Sequence, residues 1–254
     1  MRPPDRVLGS APRVEPGRVH LLGPYEIPGF PGKRHVRAYV PVRARAELRP
    51  LLFMFDGQNV FDDAPSFAGG WHAHAAVEKL AKTVAPPVVL AIDHGNGERI
   101  RELSPFEMKR GPGAGPGRAT EFVRWIVEWL LPRTRTSLHI DSDPRRTVVG
   151  GSSMGGLAAL FAHLEHPEVF GGCLAMSPSI WVAERALVEH ARHKPLAPWS
   201  RIYIDAGKKE QRGILERDTG QLAELFRNKS GDCVLFRVDA KGAHREADWR
   251  RRLP

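Results

Sequence analysis

The run Gly150-Gly151-Ser152-Ser153-Met154-Gly155-Gly156 constrains this chain more than any other stretch. A β-branched segment, Arg146-Thr147-Val148-Val149, precedes it, and Leu157, Leu160, Phe161 and Leu164 follow at i, i+3, i+4, i+7. That pattern predicts a buried strand, a glycine turn and a helix in immediate succession. Gly151-Ser152-Ser153-Met154-Gly155 therefore puts G-x-S-x-G at a strand-to-helix junction, the context the motif requires. The chain must reverse within a few residues, so Ser153 at the tip is expected in a strained backbone conformation. Glycines two residues to either side let neighbouring backbones approach without Cβ clashes. Ser153 Oγ then projects beyond the sheet edge, at the positive end of the next helix. Ser153 is a candidate nucleophile; the plainer reading is a glycine-rich turn that only joins two elements.

Around this junction, apolar runs of strand length alternate with helical patterns. Val19–Leu22 and His35–Val40, separated by the turn signal Pro28-Gly29-Phe30-Pro31-Gly32, read as an edge hairpin. Leu51–Phe55, Val88–Ile92, Gly172–Met176, Arg201–Asp205 and Cys233–Val238 read as buried strands. Helices are expected over Trp71–Lys82, over Glu121–Leu131 with a stop at Pro132, over Arg185–His193 and over Gln221–Asn228. Residues 98–117, with four glycines, read as a long surface loop. The alternation predicts an α/β fold with a mostly parallel sheet covered on both faces, in a single domain over residues 19–254. Residues 1–18, rich in Pro, Arg and Gly, are expected to be a flexible arm.

Composition narrows the function classes. A chain of 254 residues at 42% hydrophobic can bury a core. No apolar run approaches the roughly 20 residues that span a bilayer, and the N-terminus has no signal-peptide core, so a cytoplasmic protein with no membrane partner is expected. Cys173 and Cys233 lie in apolar surroundings and read as core residues. The net charge of +9 is scattered, with no basic helix, so no nucleic-acid partner is expected. It is available to attract an anionic ester. His72 and His74 do not share a helix face, and no metal site is expected. The sequence sets no oligomeric state.

Sites of open parallel sheets lie beyond the carboxyl ends of the strands. That rule gathers loops beginning at Asp56, Asp93, Ser153, Gly207 and Gly242. A serine hydroxyl is a poor nucleophile unless a base takes its proton, and a histidine base needs an acid to fix its tautomer. The hydrolase elbow has the chain order Ser, Asp/Glu, His. His244 is the one histidine after the last strand. For the acid, Glu210 is favoured, Asp205 is the alternative, and Asp218, Asp232 and Asp239 are fallbacks. Oxyanion donors are expected from the Met154 amide and from Gly57 or Gln58. Asn59, Trp71, Asp93, Arg99 and Trp181 are candidates to touch the substrate.

These pieces resemble the esterase D and enterochelin esterase-like family of the α/β-hydrolase superfamily, which also holds feruloyl and acetylxylan esterases and mycolyltransferases. The resemblance rests on Phe55-Asp56-Gly57-Gln58-Asn59-Val60-Phe61-Asp62, Gly70-Trp71, Gly150–Gly156, His166–Gly171, Ser177-Pro178-Ser179-Ile180-Trp181, Gly207–Glu210 and Gly242–Trp249. It implies a three-layer α/β-hydrolase fold and a serine carboxylic-ester hydrolase with Ser153, His244 and Glu210 as triad. It implies no cofactor and no metal, and a small or medium ester as substrate, with aryl, catecholate and acetyl esters as candidates. An acyltransferase or a non-catalytic binding protein of the same fold are the alternatives. Lys208 and Lys209 stand where the family often carries a threonine and a second acid.

Overall fold

Two five-residue runs, Val88–Ile92 and Gly172–Met176, are buried at every position, as apolar strands covered on both faces must be. They lie inside an eight-stranded sheet of order β1-β2-β4-β3-β5-β6-β7-β8. In chain order the elements are β1 Val19–Glu26, β2 Lys33–Tyr39, β3 Leu51–Phe55, α1 Ala73–Leu80, β4 Val88–Ile92, α2 Arg99–Leu103, α3 Ala119–Trp125 and α4 Leu131–Leu138. There follow β5 Thr147–Ser152, α5 Met154–Glu165, β6 Gly172–Met176, α6 Ala186–His193, β7 Arg201–Gly207, α7 Ile214–Ser230, β8 Val234–Asp239 and α8 Glu246–Arg252. The computed structural model describes residues 14–42, 48–66 and 68–253. Residues 1–13 of the expected arm lie outside them, while Gly17 N already donates to Val40 O at 2.9 Å.

β1 and β2 form the expected antiparallel edge pair, and β2 runs antiparallel to β4. All other pairings, from β4 through β3, β5, β6 and β7 to β8, are parallel. Along β3 the side chains alternate between two cores. Leu51, Phe53 and Phe55 join a large cluster with α3, α5, α6 and α7, while Met54 joins a smaller one with Ala73 and Val77 of α1 and Trp249 of α8. The result is a single-domain, three-layer α/β fold.

The structure differs from the sequence reading where tertiary contacts overrule local pattern. Residues 99–103, expected in a loop, form α2, held by burial of Leu103 and by the buried pair of Glu102 with Arg34. The helix expected to stop at Pro132 continues. A π-helical turn over Ile126–Leu130, in which the Leu131 amide donates to Ile126 O, leads directly into α4, with Pro132 as its second residue. α7 begins at Ile214, seven residues before the expected start. α8, seven residues of mostly charged sequence, has no counterpart among the expected helices.

Candidate active site

Ser153 sits between β5 and α5 with φ 54° and ψ −118°, a conformation that non-glycine residues rarely hold. The tightness of the reversal is measurable at Gly151, where an added Cβ would lie 2.6 Å from the Gly155 carbonyl carbon. The strained serine is thus held by packing of the two flanking backbones.

His244 Nε2 lies 2.9 Å from Ser153 Oγ, and His244 Nδ1 lies 2.9 Å from Glu210 Oε2. The three residues come from the loops after β5, β7 and β8. The last two loops are tied directly, since Lys208 N donates to Asp239 O at 2.9 Å and Lys209 N to Gly242 O at 3.0 Å. Glu210 is fully buried, while the His244 side chain is 37% exposed. Burial alone would raise the Glu210 carboxyl. Hydrogen bonds from His244 and Ser177 and the charges of His244 and Arg252 outweigh it and hold the group below the usual glutamate range. Its second oxygen accepts from Ser177 Oγ at 2.8 Å, Gly207 N at 3.0 Å and Arg252 Nη2 at 3.2 Å.

Asp205, the alternative acid, shares Ser177 and Arg252 with Glu210, while the His244 bond goes to Glu210. It accepts from the Ser177 amide at 3.0 Å and the Tyr203 hydroxyl at 3.1 Å, beside Arg252 Nη1 at 3.1 Å. Burial pushes it up to about 6. Of the fallbacks, Asp218 pairs with Arg217 and Arg185, Asp239 pairs with Arg251, and Asp232 is exposed.

Met154 is the first residue of α5, so its amide has no acceptor within the helix. Gly57 and Gln58 open a 3₁₀ turn after β3, and their amides are free of that turn for the same reason. The turn packs on the elbow, for a Cβ at Gly155 would lie 2.9 Å from Asp56 Oδ2. Asp56 is buried in the left-handed region at φ 58°, and Arg99 grips its carboxylate with two bonds of 2.7 Å.

The five candidate substrate residues fall into two groups. Asn59 and Trp71 both donate to Glu246, Arg99 is held by Asp56, and Asp93 accepts two bonds from Arg37 at 2.8 and 2.9 Å. Trp181, 46% exposed, lies two residues beyond Ser179, whose Oγ is 3.2 Å from Ser153 Oγ.

Sequence reasoning assigns no role to Ser177, Ser179, Glu246, Trp249 or Arg252. Trp249 meets the His244 ring edge-on at 4.8 Å and donates to Ser177 Oγ at 3.0 Å. The available signal is spacing. Glu246, Trp249 and Arg252 recur every three residues, one face of a helix that points back at Asn59, His244 and Glu210. Among the described residues no group of three or more His, Cys, Asp or Glu is placed to hold a metal ion, and no helix is long and apolar enough to cross a membrane. Taken together, a hydroxyl, an imidazole and a buried carboxylate stand in line beside backbone amides, the parts acyl transfer requires.

The family described as “Putative esterase” matches residues 28–254. The iron(III) enterobactin esterase of Dickeya dadantii is 37% identical over 134 residues, 52% of this chain and 27% of the relative. That of Escherichia coli O6:H1 is 29% identical over 225 residues, 85% of this chain and 51% of the relative. The chain thus spans about half, or less, of the length of these curated relatives. Among solved structures, the enterobactin esterase of Shigella flexneri in the presence of enterobactin superposes with a TM-score of 0.73 at 25% identity, over 94% of this chain and 57% of that one.

Proposed function

The chain belongs to the esterase family that matches residues 28–254, and from that membership we propose that it is a serine carboxylic-ester hydrolase acting through a covalent acyl-enzyme. The observation that carries the reading is the 2.9 Å relay from Ser153 Oγ through His244 to the buried Glu210.

In this reading Ser153 Oγ attacks the ester carbonyl carbon as His244 Nε2 takes its proton. Glu210 holds the imidazole with Nδ1 protonated and stabilises the imidazolium that forms. The amides of Met154 and of Gly57 or Gln58 receive the developing oxyanion, a contribution of roughly 2.7–4 kcal/mol for each donor. His244 then protonates the leaving alkoxide, and water, deprotonated by the same histidine, releases the acid. The relatives' names, together with the half-exposed Trp181 beside the elbow, favour an aryl or catecholate ester of small or medium size.

Ser153→Ala is expected to lower kcat toward p-nitrophenyl acetate by about 10⁶, the size of triad knockouts in serine hydrolases, and to abolish fluorophosphonate labelling. Full turnover by the variant would remove Ser153 from the chemistry. A wild-type protein that takes no label would favour a binding protein. Product analysis with added alcohols distinguishes hydrolysis from transfer to another acceptor.

A further inference from the structure

We infer that Glu246 is a positioning residue that locks the oxyanion turn to the loop carrying the general base. This rests on the serine-esterase reading above and assigns a function to a side chain that does not touch the reacting atoms.

Glu246 is two residues after His244 and is the first residue of α8. Its carboxylate is divided between two elements. Oε1 accepts from Asn59 Nδ2 at 3.2 Å, and Oε2 accepts from Trp71 Nε1. Trp71 N in turn donates to Asn59 O at 2.8 Å. Three residues from distant parts of the chain therefore close one ring of hydrogen bonds, and one of them, Asn59, is the last residue of the Gly57–Asn59 turn.

That turn needs outside support. Its leading residue, Asp56, is in the left-handed region and makes no side-chain cap, because its carboxylate is held by Arg99. At the far end the Asn59 side chain has Glu246 as its hydrogen-bond partner. The turn is therefore clamped at both ends by charged side chains, Arg99 on one and Glu246 on the other. A second route joins the same parts. Trp71 packs on Trp249 with ring centroids 6.1 Å apart, and Trp249 abuts the His244 ring. The Glu246 ring thus fixes where the Gly57 and Gln58 amides aim relative to His244. Such aim is what oxyanion stabilisation depends on, because the donors act without reorganising when charge develops.

The test compares Glu246→Gln, Glu246→Ala, Asn59→Ala and the double variant Glu246→Ala/Asn59→Ala on p-nitrophenyl acetate. Each is also titrated with a phenyl trifluoromethyl ketone. In that adduct Ser153 Oγ bonds to the ketone carbon, its proton passes to His244, and the former carbonyl oxygen carries the negative charge. Misaimed donors should lower kcat by roughly 10-fold in Glu246→Gln and up to about 10²-fold in Glu246→Ala, below the loss of a whole donor. KM should stay within about twofold, since the ground-state ester makes little demand on the amides. Ketone affinity should fall by the same factor as kcat/KM, and the double variant should be no worse than Glu246→Ala, because both substitutions cut one linkage.

Retention of kcat within twofold in Glu246→Gln would overturn the inference. So would ketone affinity equal to wild type, or losses that vanish well below each variant's melting temperature. If Glu246→Ala does not fold, Glu246→Gln and Asn59→Ala carry the same test. A wild-type protein unlabelled by fluorophosphonate at Ser153 would instead remove the serine reading, and this inference with it. Labelling intact with indifferent variants removes the inference alone.

Discussion

Glu210 and Asp205 share Ser177 and Arg252 as neighbours, yet their surroundings drive them in opposite directions. Burial opposes charge on both. Glu210 gains a hydrogen bond from His244 in addition and ends below its usual range, whereas Asp205 ends near 6, above the ordinary aspartate value. The consequence for stability has a definite sign. Between about pH 4 and 6 the folded protein binds more protons at Asp205 than the unfolded chain does, so Asp205 makes stability fall as pH rises through that window. Integrated over that window, the effect is about 3 kcal/mol. Asp205→Asn should therefore remove a falling segment between pH 4 and 6 from the urea-unfolding free energy plotted against pH. An unchanged profile would mean the aspartate is not displaced. Glu210 acts in the opposite sense, its contribution present above the unfolded glutamate range and lost as pH falls through its lowered value. Sequence position marks both carboxylates as candidates at the end of β7. It favours Glu210, which lies in the loop, but the contact that tells the two apart, a bond from His244 to Glu210 alone, comes from the far end of the chain.

At the scale of elements, legibility follows where the stabilising contacts come from. The elbow is readable because its causes are local: a buried strand, glycines at the close approach and a helix with apolar spacing all fall within one short segment. α2 and α8 are not readable as helices, since short, mostly charged segments carry no apolar periodicity and fold because of what they meet; the three-residue spacing of Glu246, Trp249 and Arg252 is the signal α8 offers. Glu102 of α2 illustrates the point. It is wholly buried and holds Arg34 of β2 through contacts of 2.6 and 3.2 Å, and burial still raises its carboxyl despite the guanidinium. A buried pair of this kind is expensive to break and cheap to replace. Arg34→Met, which strands the carboxylate, should lower the urea-unfolding free energy by about 3–5 kcal/mol. Arg34→Met with Glu102→Leu should recover most of that loss. Equal stability of the single and double variants would show that the ion pair is not the source of the effect. α8 makes the same case for the candidate site, since Glu246, Trp249 and Arg252 reach Asn59, His244 and Glu210 from one short helix.

For the whole molecule, strand count and parallel character follow from runs of apolar residues, but the order of strands does not. β4 lies between β2 and β3, and β3 between β4 and β5, an arrangement set by crossover packing rather than by any residue in the strands. Net charge, by contrast, is a whole-chain property that needs no fold, and at +9 it has a kinetic consequence. A positive protein attracts anions over distances comparable to the Debye length, about 10 Å at 0.1 M salt and 3 Å at 1 M. The attraction speeds encounter and leaves the chemical step alone, so it should appear in kcat/KM for anionic esters and not in kcat. Two aryl acetates of the same shape, one bearing a ring carboxylate and one a neutral amide, isolate the effect. Between about 10 mM and 0.5 M salt, kcat/KM for the carboxylate should fall several-fold while that for the amide stays nearly flat. Parallel curves would show that the positive charge lies away from the path to Ser153. A steeper fall than several-fold would place cationic side chains at the mouth of the site itself, where the half-exposed Trp181 already offers an aromatic surface.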